Sequence, residues 1–306
     1  MNPYGETATN SRRGGSPQPM GQHGITSHPA FAGNSDYYAY VAAGYDRTAA
    51  SYDQVEGANS ISERVRRVSL ATAQTLFVKG ERVLELGCGT GRDAVALARD
   101  GIRVVATDVS PEMISITRAR MRREGVEHLV TAEVLPAARA VLQGGPYDGV
   151  YSNGAVLNLE PELREVAQGL SKTVRQGACA VFTAANRLSL FELAVYPLAL
   201  RPRKAFRKLN PTVPVPISRR GIGKTYVVPT QFLTPREFIS LFTKSFELKS
   251  LKALQVVTPP WNFVDLAARF RSAVDTLERI EDRIGGRRLL RNLGAIYLTI
   301  LRRKED

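Results

Sequence analysis

Between residues 82 and 186 the chain repeats one unit: a short apolar run, a turn, then a stretch with helical spacing. The runs are ERVLELG, RVVATD, HLVTAEV, YDGVYSN and ACAVFTAA. They are apolar almost throughout, as strands buried on both faces are. Such strands alternating with helices predict a parallel sheet covered on both sides. Helices are expected at RDAVALARDG, SPEMISITRARMRREG and PELREVAQGLSKTVRQG. Gly101 suits the left-handed position after the first of these. Ser110 and Pro111 suit the N-cap and first turn of the second. Leu163, Val166, Leu170 and Val174 share one face of the third.

The first strand carries an acid, Glu85, and runs straight into Gly87, Gly89 and Gly91. A dinucleotide fingerprint needs a third glycine at position 92, where Arg92 stands, and a phosphate-binding loop needs a following Gly-Lys-Ser/Thr that is absent. The pattern fits instead a nucleoside with a zwitterionic end. Glycines let backbone pack against it, and Glu85 faces an ammonium group. Asp108, at the end of the next strand, sits where ribose-binding acids fall in such folds, about 20 residues on.

VLELGCGTG followed by VVATDVSPEMI resembles the first two motifs of class I S-adenosylmethionine-dependent methyltransferases. YDRTAASYD, Tyr45 to Asp53, resembles the Tyr/Phe-Asp-x-x-Ala-x-x-Tyr-Asp lead-in of ubiquinone/menaquinone-type methyltransferases. The resemblance covers residues 45–186 and, more loosely, 234–255 and 295–303. It implies a Rossmann-like α/β sheet, mostly parallel with the last strand antiparallel, and S-adenosyl-L-methionine as cofactor. It also implies site residues. Tyr45 and Tyr52 cover the cofactor. Glu85, Gly87, Gly89 and Gly91 form the first-motif turn, and Asp108 is the ribose-binding acid. Val109 and Met113 flank the adenine, Glu133 meets its amino group, and Val134 lies beside it. Ser152, Asn153 and Gly154 lie against the methionine part. Where base-methylating relatives carry Asn/Asp-Pro-Pro-Tyr/Phe, this chain reads SNGAVLNLE, which argues against adenine or cytosine N-methylation.

No general base is evident. Tyr151, Asn153, Asn158 and Asn186 are candidates for orienting a substrate. Cys88 reads as a packed turn residue, no His is assigned a catalytic role, and no metal-ligand spacing is present. Two cysteines in 306 residues exclude a disulfide framework and suit a reducing cytoplasm. No signal peptide and no run of roughly 20 apolar residues is evident.

Residues 1–36 are rich in Gly, Ser, Pro and Asn and read as a disordered tail. Residues 37–306 read as a single domain, monomeric or homodimeric. Its segments 187–233 and 256–293 are expected to cap the site. A helix is expected at 61–77, a helix capped by Thr234, a strand at FELKSLKAL, a helical stretch over 261–284, and a final strand AIYLTILRR. The net charge of +13 is confined to the second part: residues 1–186 hold 19 basic and 19 acidic side chains, and residues 187–306 hold 23 and 10. Arg201, Arg203, Lys204, Arg207 and Lys208 cluster after the apolar run LSLFELAVYPLAL, a pattern that suits an anionic membrane surface. The function expected is methyl transfer to the O, C or N of a small-molecule or lipid-like acceptor. RNA methylation through the basic part is the alternative, and a non-catalytic S-adenosylmethionine-binding protein a third.

Overall fold

The computed structural model describes residues 31–210, 212–217 and 226–305. Most of the expected tail, including His23 and His28, lies outside the described residues. Residues 31–36 do not belong to a tail. Helix α1 (Asn34–Ala58) begins within them, and the Phe31 ring packs on Tyr37 and Tyr40.

The chain then follows α2 (Ser60–Leu76), β1 (Arg82–Leu86), α3 (Arg92–Arg99), β2 (Arg103–Asp108), α4 (Pro111–Arg123), β3 (Val130–Val134), α5 (Ala137–Ala140), β4 (Tyr147–Ser152), α6 (Leu163–Thr173) and β5 (Val174–Ala185). The second part adds α7 (Leu190–Leu198), α8 (Pro202–Ala205), β6 (Thr212–Pro216), β7 (Val227–Gln231), α9 (Pro235–Ser240), β8 (Phe246–Leu254), α10 (Val264–Arg269), α11 (Arg271–Ile284) and β9 (Ile296–Arg303). Seven strands form one sheet in the order β3-β2-β1-β4-β5-β9-β8. The first five are parallel, and β9 runs antiparallel between β5 and β8.

Period-2 alternation sends neighbouring apolar residues into two separate layers. Val83 and Val104 pack on one face with Phe77, Leu97 and Ile114. Leu84 and Val105 pack on the other with Val141, Leu170, Phe182 and Phe238. The helix ends match the chemistry of their sequences. The Ser110 hydroxyl accepts from Met113 N at 3.1 Å with Pro111 in the first turn, and Thr234 and Glu237 form a reciprocal capping box.

Three expectations are corrected. The helix expected to continue through Gly177 ends at Thr173, because β-branched Val174 opens β5 and pairs with Tyr147. The helical cap expected over 187–233 holds not only the helices α7 and α8 but also a strand ribbon of β6 and β7. The stretch over 261–284 is a short helical turn and two helices, broken at Phe270.

Candidate active site

Parallel strands β1, β2 and β4 end together, and a cavity of about 410 Å³ opens over those ends. The glycine turn after β1 forms its floor. Gly87, Gly89 and Gly91 all have positive φ, at 72°, 53° and 75°. At Gly87 a Cβ would stand 2.4 Å from Val156 Cγ2, so only glycine fits there. A Cβ at Gly89 would meet nothing nearer than Tyr52 at 3.9 Å, so the turn lies open to a flat ligand.

Asp108 is fixed from both sides. Its Oδ2 accepts from the Gly89 amide at 2.9 Å and its Oδ1 from the Ser110 amide at 2.9 Å. Burial raises its pKa, opposed by those two backbone donors. Glu85 is 3% exposed, lines the cavity, and its Oε2 has no hydrogen-bond partner. Burial pushes its pKa well up, the Asp93 carboxylate adds to this, and the Arg66 guanidinium opposes it. A buried carboxylate without a partner is costly, and a cationic ligand group would relieve it.

α1 closes one side. Asp46 accepts from the Ser110 hydroxyl at 2.5 Å, and Asp53 accepts from the Thr90 hydroxyl at 2.5 Å and from Arg120. These latches tie the helix to the starts of α3 and α4, and Tyr45 and Tyr52 line the cavity from it. Burial raises the pKa of both phenols, so they stay neutral.

Of the residues expected from the sequence, Tyr45, Tyr52, Glu85, Gly87, Gly89, Asp108, Val109, Met113, Asn153 and Gly154 line this one cavity. Gly91 caps the turn behind it, its Cβ position filled by Thr117. Four cofactor expectations need adjustment or correction. Glu133 and Val134 are not in the wall; Leu135, Pro136 and Ala137 are, because the Leu135 amide meets the Asp108 carbonyl at 2.9 Å and the chain reaches the cavity only there. Val134 faces solvent. Ser152 is buried in the sheet, its hydroxyl donating to the Leu86 carbonyl at 2.9 Å.

The substrate-orienting candidates are mostly committed elsewhere. Tyr151 is buried outside the wall and donates to Asp93 Oδ2 at 3.0 Å. Asn186 is buried outside the wall, donating to the Asn292 and Gly294 carbonyls. Asn158 reaches the wall, but its amide joins Ala185 to Gln231, with both ends occupied. Asn153 stays in the wall, accepting from Thr183 at 2.9 Å and donating to Asp93 at 3.3 Å. Sequence reasoning missed the pair beneath them, Arg66 and Asp93, at 2.6 Å. Its available signal was an acid in the first turn of the helix that follows the glycines.

The second part of the chain supplies a different wall: Val215, Pro216, Ile217, Thr230, Phe232, Gln255, Trp261 and Ile296. None of these described residues carries a charge. Lys208, one of the five clustered cations, turns inward to Glu192 at 2.6 Å and over the Phe232 ring. Arg207 is exposed and donates to the Pro214 carbonyl, and Arg201, Arg203 and Lys204 are exposed. Among the described residues no group of His, Cys, Asp and Glu could hold a metal ion.

Residues 83–177 match a family model described as a methyltransferase domain. A demethylmenaquinone methyltransferase of Symbiobacterium thermophilum is 29% identical over 124 residues, 39% of this chain and 49% of that protein. A magnesium-protoporphyrin O-methyltransferase of Rhodobacter capsulatus is 36% identical over 109 residues, 35% and 46% of the two chains. The chain spans about half the length of the curated relatives it matches. The CcbJ methyltransferase of Streptomyces caelestis shares the fold, with a TM-score of 0.58 at 16% identity over 86% of this chain and 98% of that one. The sheet order and the matched domain define a class I S-adenosylmethionine-dependent methyltransferase fold. Over residues 83–177 the chain carries a methyltransferase domain of that fold.

Proposed function

We propose that the protein transfers a methyl group from S-adenosyl-L-methionine to a small, neutral, lipid-like acceptor. The observation that carries the reading is one cavity with two unlike walls. Glu85 and Asp108 meet the open glycine turn on one side, and an uncharged wall faces them. The bound cofactor supplies a methyl group on a positively charged sulfur.

In this reading Asp108, fixed by the Gly89 and Ser110 amides, accepts the two ribose hydroxyls. Glu85 pairs with the ammonium group. Val109, Met113 and Leu135 pack on the adenine, and Asn153 and Gly154 border the methionine part. Tyr45 and Tyr52 exclude water from above. With no dedicated base evident in the second wall, alignment of acceptor and methyl carries the rate. The segments 187–233 and 256–293 act as a cap over the acceptor. The activities of the two relatives, on demethylmenaquinone and magnesium-protoporphyrin, fit an apolar, ring-bearing acceptor better than RNA.

Among the described residues no helix is long and apolar enough to cross a membrane. A surface role at a membrane fits the cap instead. Leu198 and Leu200 are 83% and 90% exposed, beside exposed Phe206 and Leu209 and the four outward cations Arg201, Arg203, Lys204 and Arg207. Apolar side chains flanked by cations match an anionic lipid surface. The protein would then work in the cytoplasm, at a membrane face from which an apolar acceptor is drawn.

Incubation with methyl-labelled S-adenosylmethionine and cell extract tests the reading. Label in the organic-soluble fraction supports it. Label confined to RNA, or to none, contradicts it.

A further inference from the structure

Gln255 follows β8 directly, at the edge of the uncharged wall. Its φ is +60°, a left-handed conformation that side-chain-bearing residues avoid and glycine adopts freely. The backbone is clamped there. Its amide donates to Glu281 Oε1 at 2.9 Å, and its carbonyl accepts from Ala295 N at 3.1 Å. Glu281 is fully buried and is built around this turn. Its Oε2 accepts from the amides of Val256, Val257 and Thr258 and from the Thr258 hydroxyl, and Arg64 Nη1 lies 2.7 Å from Oε1.

The side chain held by this apparatus does no structural bonding through its oxygen. Gln255 is 2% exposed and lines the cavity, yet Oε1 has no hydrogen-bond partner. A strained backbone and an unsatisfied buried amide oxygen are two separate costs at one residue, and such costs gather where ligands bind. Phe232, Ile296, Val215 and Trp261 line the same wall. The other polar side chain contributed by this wall, Thr230, spends its hydroxyl on the Val228 carbonyl at 3.1 Å.

We propose that Gln255 is the acceptor-recognition residue, and that its site takes a neutral, predominantly apolar ring compound through one hydrogen bond donated by a ligand hydroxyl to Gln255 Oε1. An amide oxygen accepts, so it matches a hydroxyl group on the ligand. This wall offers no described cation, and the two arginines that line the cavity elsewhere, Arg66 and Arg92, are held by Asp93 and Glu63, so a carboxylate or phosphate would lose its hydration unpaired. The inference rests on the methyl-transfer reading for the name acceptor, but not for the binding it describes.

Trp261 is the sole tryptophan of the chain and lines the same wall, so its fluorescence reports occupancy without turnover. The probes are 4-propylphenol, propylbenzene and 4-propylbenzoate, titrated into the full chain with excitation at the red edge of tryptophan absorption. The phenol is expected to bind about fivefold more tightly than propylbenzene, the scale of one neutral hydrogen bond, and the benzoate most weakly. Gln255→Leu should erase the phenol's advantage and leave propylbenzene binding unchanged.

Gln255→Gly relieves the left-handed strain and removes the amide together. It should raise the melting temperature while losing the same phenol preference, a combination that a merely structural glutamine would not give. Equal phenol preference in parent and both variants, or tightest binding of the benzoate, overturns the proposal. Calorimetry with S-adenosylmethionine separates the two claims. Parent that binds cofactor while the variants keep the phenol preference sinks only the Gln255 assignment. Gln255-dependent phenol binding in a parent that ignores cofactor sinks only methyl transfer.

Discussion

The Gly89 amide donates to Asp108 Oδ2 at 2.9 Å, which makes the turn after β1 and the end of β2 one hydrogen-bonded unit. The carboxylate is held before any ligand arrives, and its second oxygen is held in the same way by Ser110. The floor of the cavity is therefore preorganised.

Glu85→Gln should separate stability from binding. The folded-state pKa of Glu85 lies well above its ordinary value of 4.5, chiefly through burial. The folded state thus holds a proton that the unfolded chain releases. The stability associated with that proton is complete below about pH 4.5 and is lost as pH rises through the folded value. The glutamine variant lacks this loss, so it should melt higher at neutral pH, with a flatter pH dependence. It should bind S-adenosylmethionine about tenfold to a hundredfold more weakly, the scale of a hydrogen bond to a charged group. Parent and variant melting curves between pH 5 and 8, with calorimetry at pH 7.5, check both halves. Identical pH slopes would remove Glu85 as the titrating group.

Deleting residues 1–30 should leave the melting temperature and cofactor affinity nearly unchanged. Deleting through Asp53 removes Tyr45, Tyr52 and the Asp46 and Asp53 latches. It should abolish measurable cofactor binding. The milder change Asp53→Asn keeps the helix and weakens its tie to Arg120, with an expected loss of about 1 kcal/mol of stability. Differential scanning calorimetry on the three proteins gives the order. A large loss from the shortest deletion would mean that the tail packs on the fold.

Glu281→Ala leaves Arg64 buried without its fully enclosed partner and strips the turn at 255–258 of its acceptor. The expected cost is about 3–5 kcal/mol, seen as a shifted midpoint in urea unfolding. A change under 1 kcal/mol would show that water or Glu278 and Asp282 replace it.

Charge reversal at Arg201, Arg203 and Lys204 to Glu should reduce sedimentation with vesicles containing phosphatidylserine at low salt. Each cation near such a surface contributes about 1 kcal/mol, screened within a Debye length. Leu198→Ser with Leu200→Ser should weaken binding at high salt too. Cofactor affinity should be unaffected by either set. Equal binding to neutral vesicles would remove the cations from the contact, and none by the parent would leave the patch a solvated face.

The strands, their order of appearance and the two acids could be read in the sequence because each is written locally. A strand buried on both faces is an apolar run, and a ribose-binding acid ends one. The errors share a physical cause. Ser152, Tyr151 and Asn186 were expected in the site from their place at or after a strand end, yet which way each side chain turns depends on partners far along the chain: Leu86, Asp93 and Gly294. Glu133 and Val134 failed by a shorter distance, since β3 meets the cavity only beyond its last residue. Gln255 left no trace, because its strain is imposed by Glu281, 26 residues later.

Asp108→Ala, titrated calorimetrically with S-adenosylmethionine beside the parent, tests the central claim most directly. The residue joins the turn to the next strand and faces the cavity, so its loss should remove roughly 1.5–3 kcal/mol of binding, about a tenfold to hundredfold change, in a chain whose circular dichroism is unchanged. Parent that binds S-adenosylmethionine, with the variant weakened to that degree, is the result the account predicts. Unchanged affinity in a folded variant, or a parent that binds NAD and ignores S-adenosylmethionine, would contradict it.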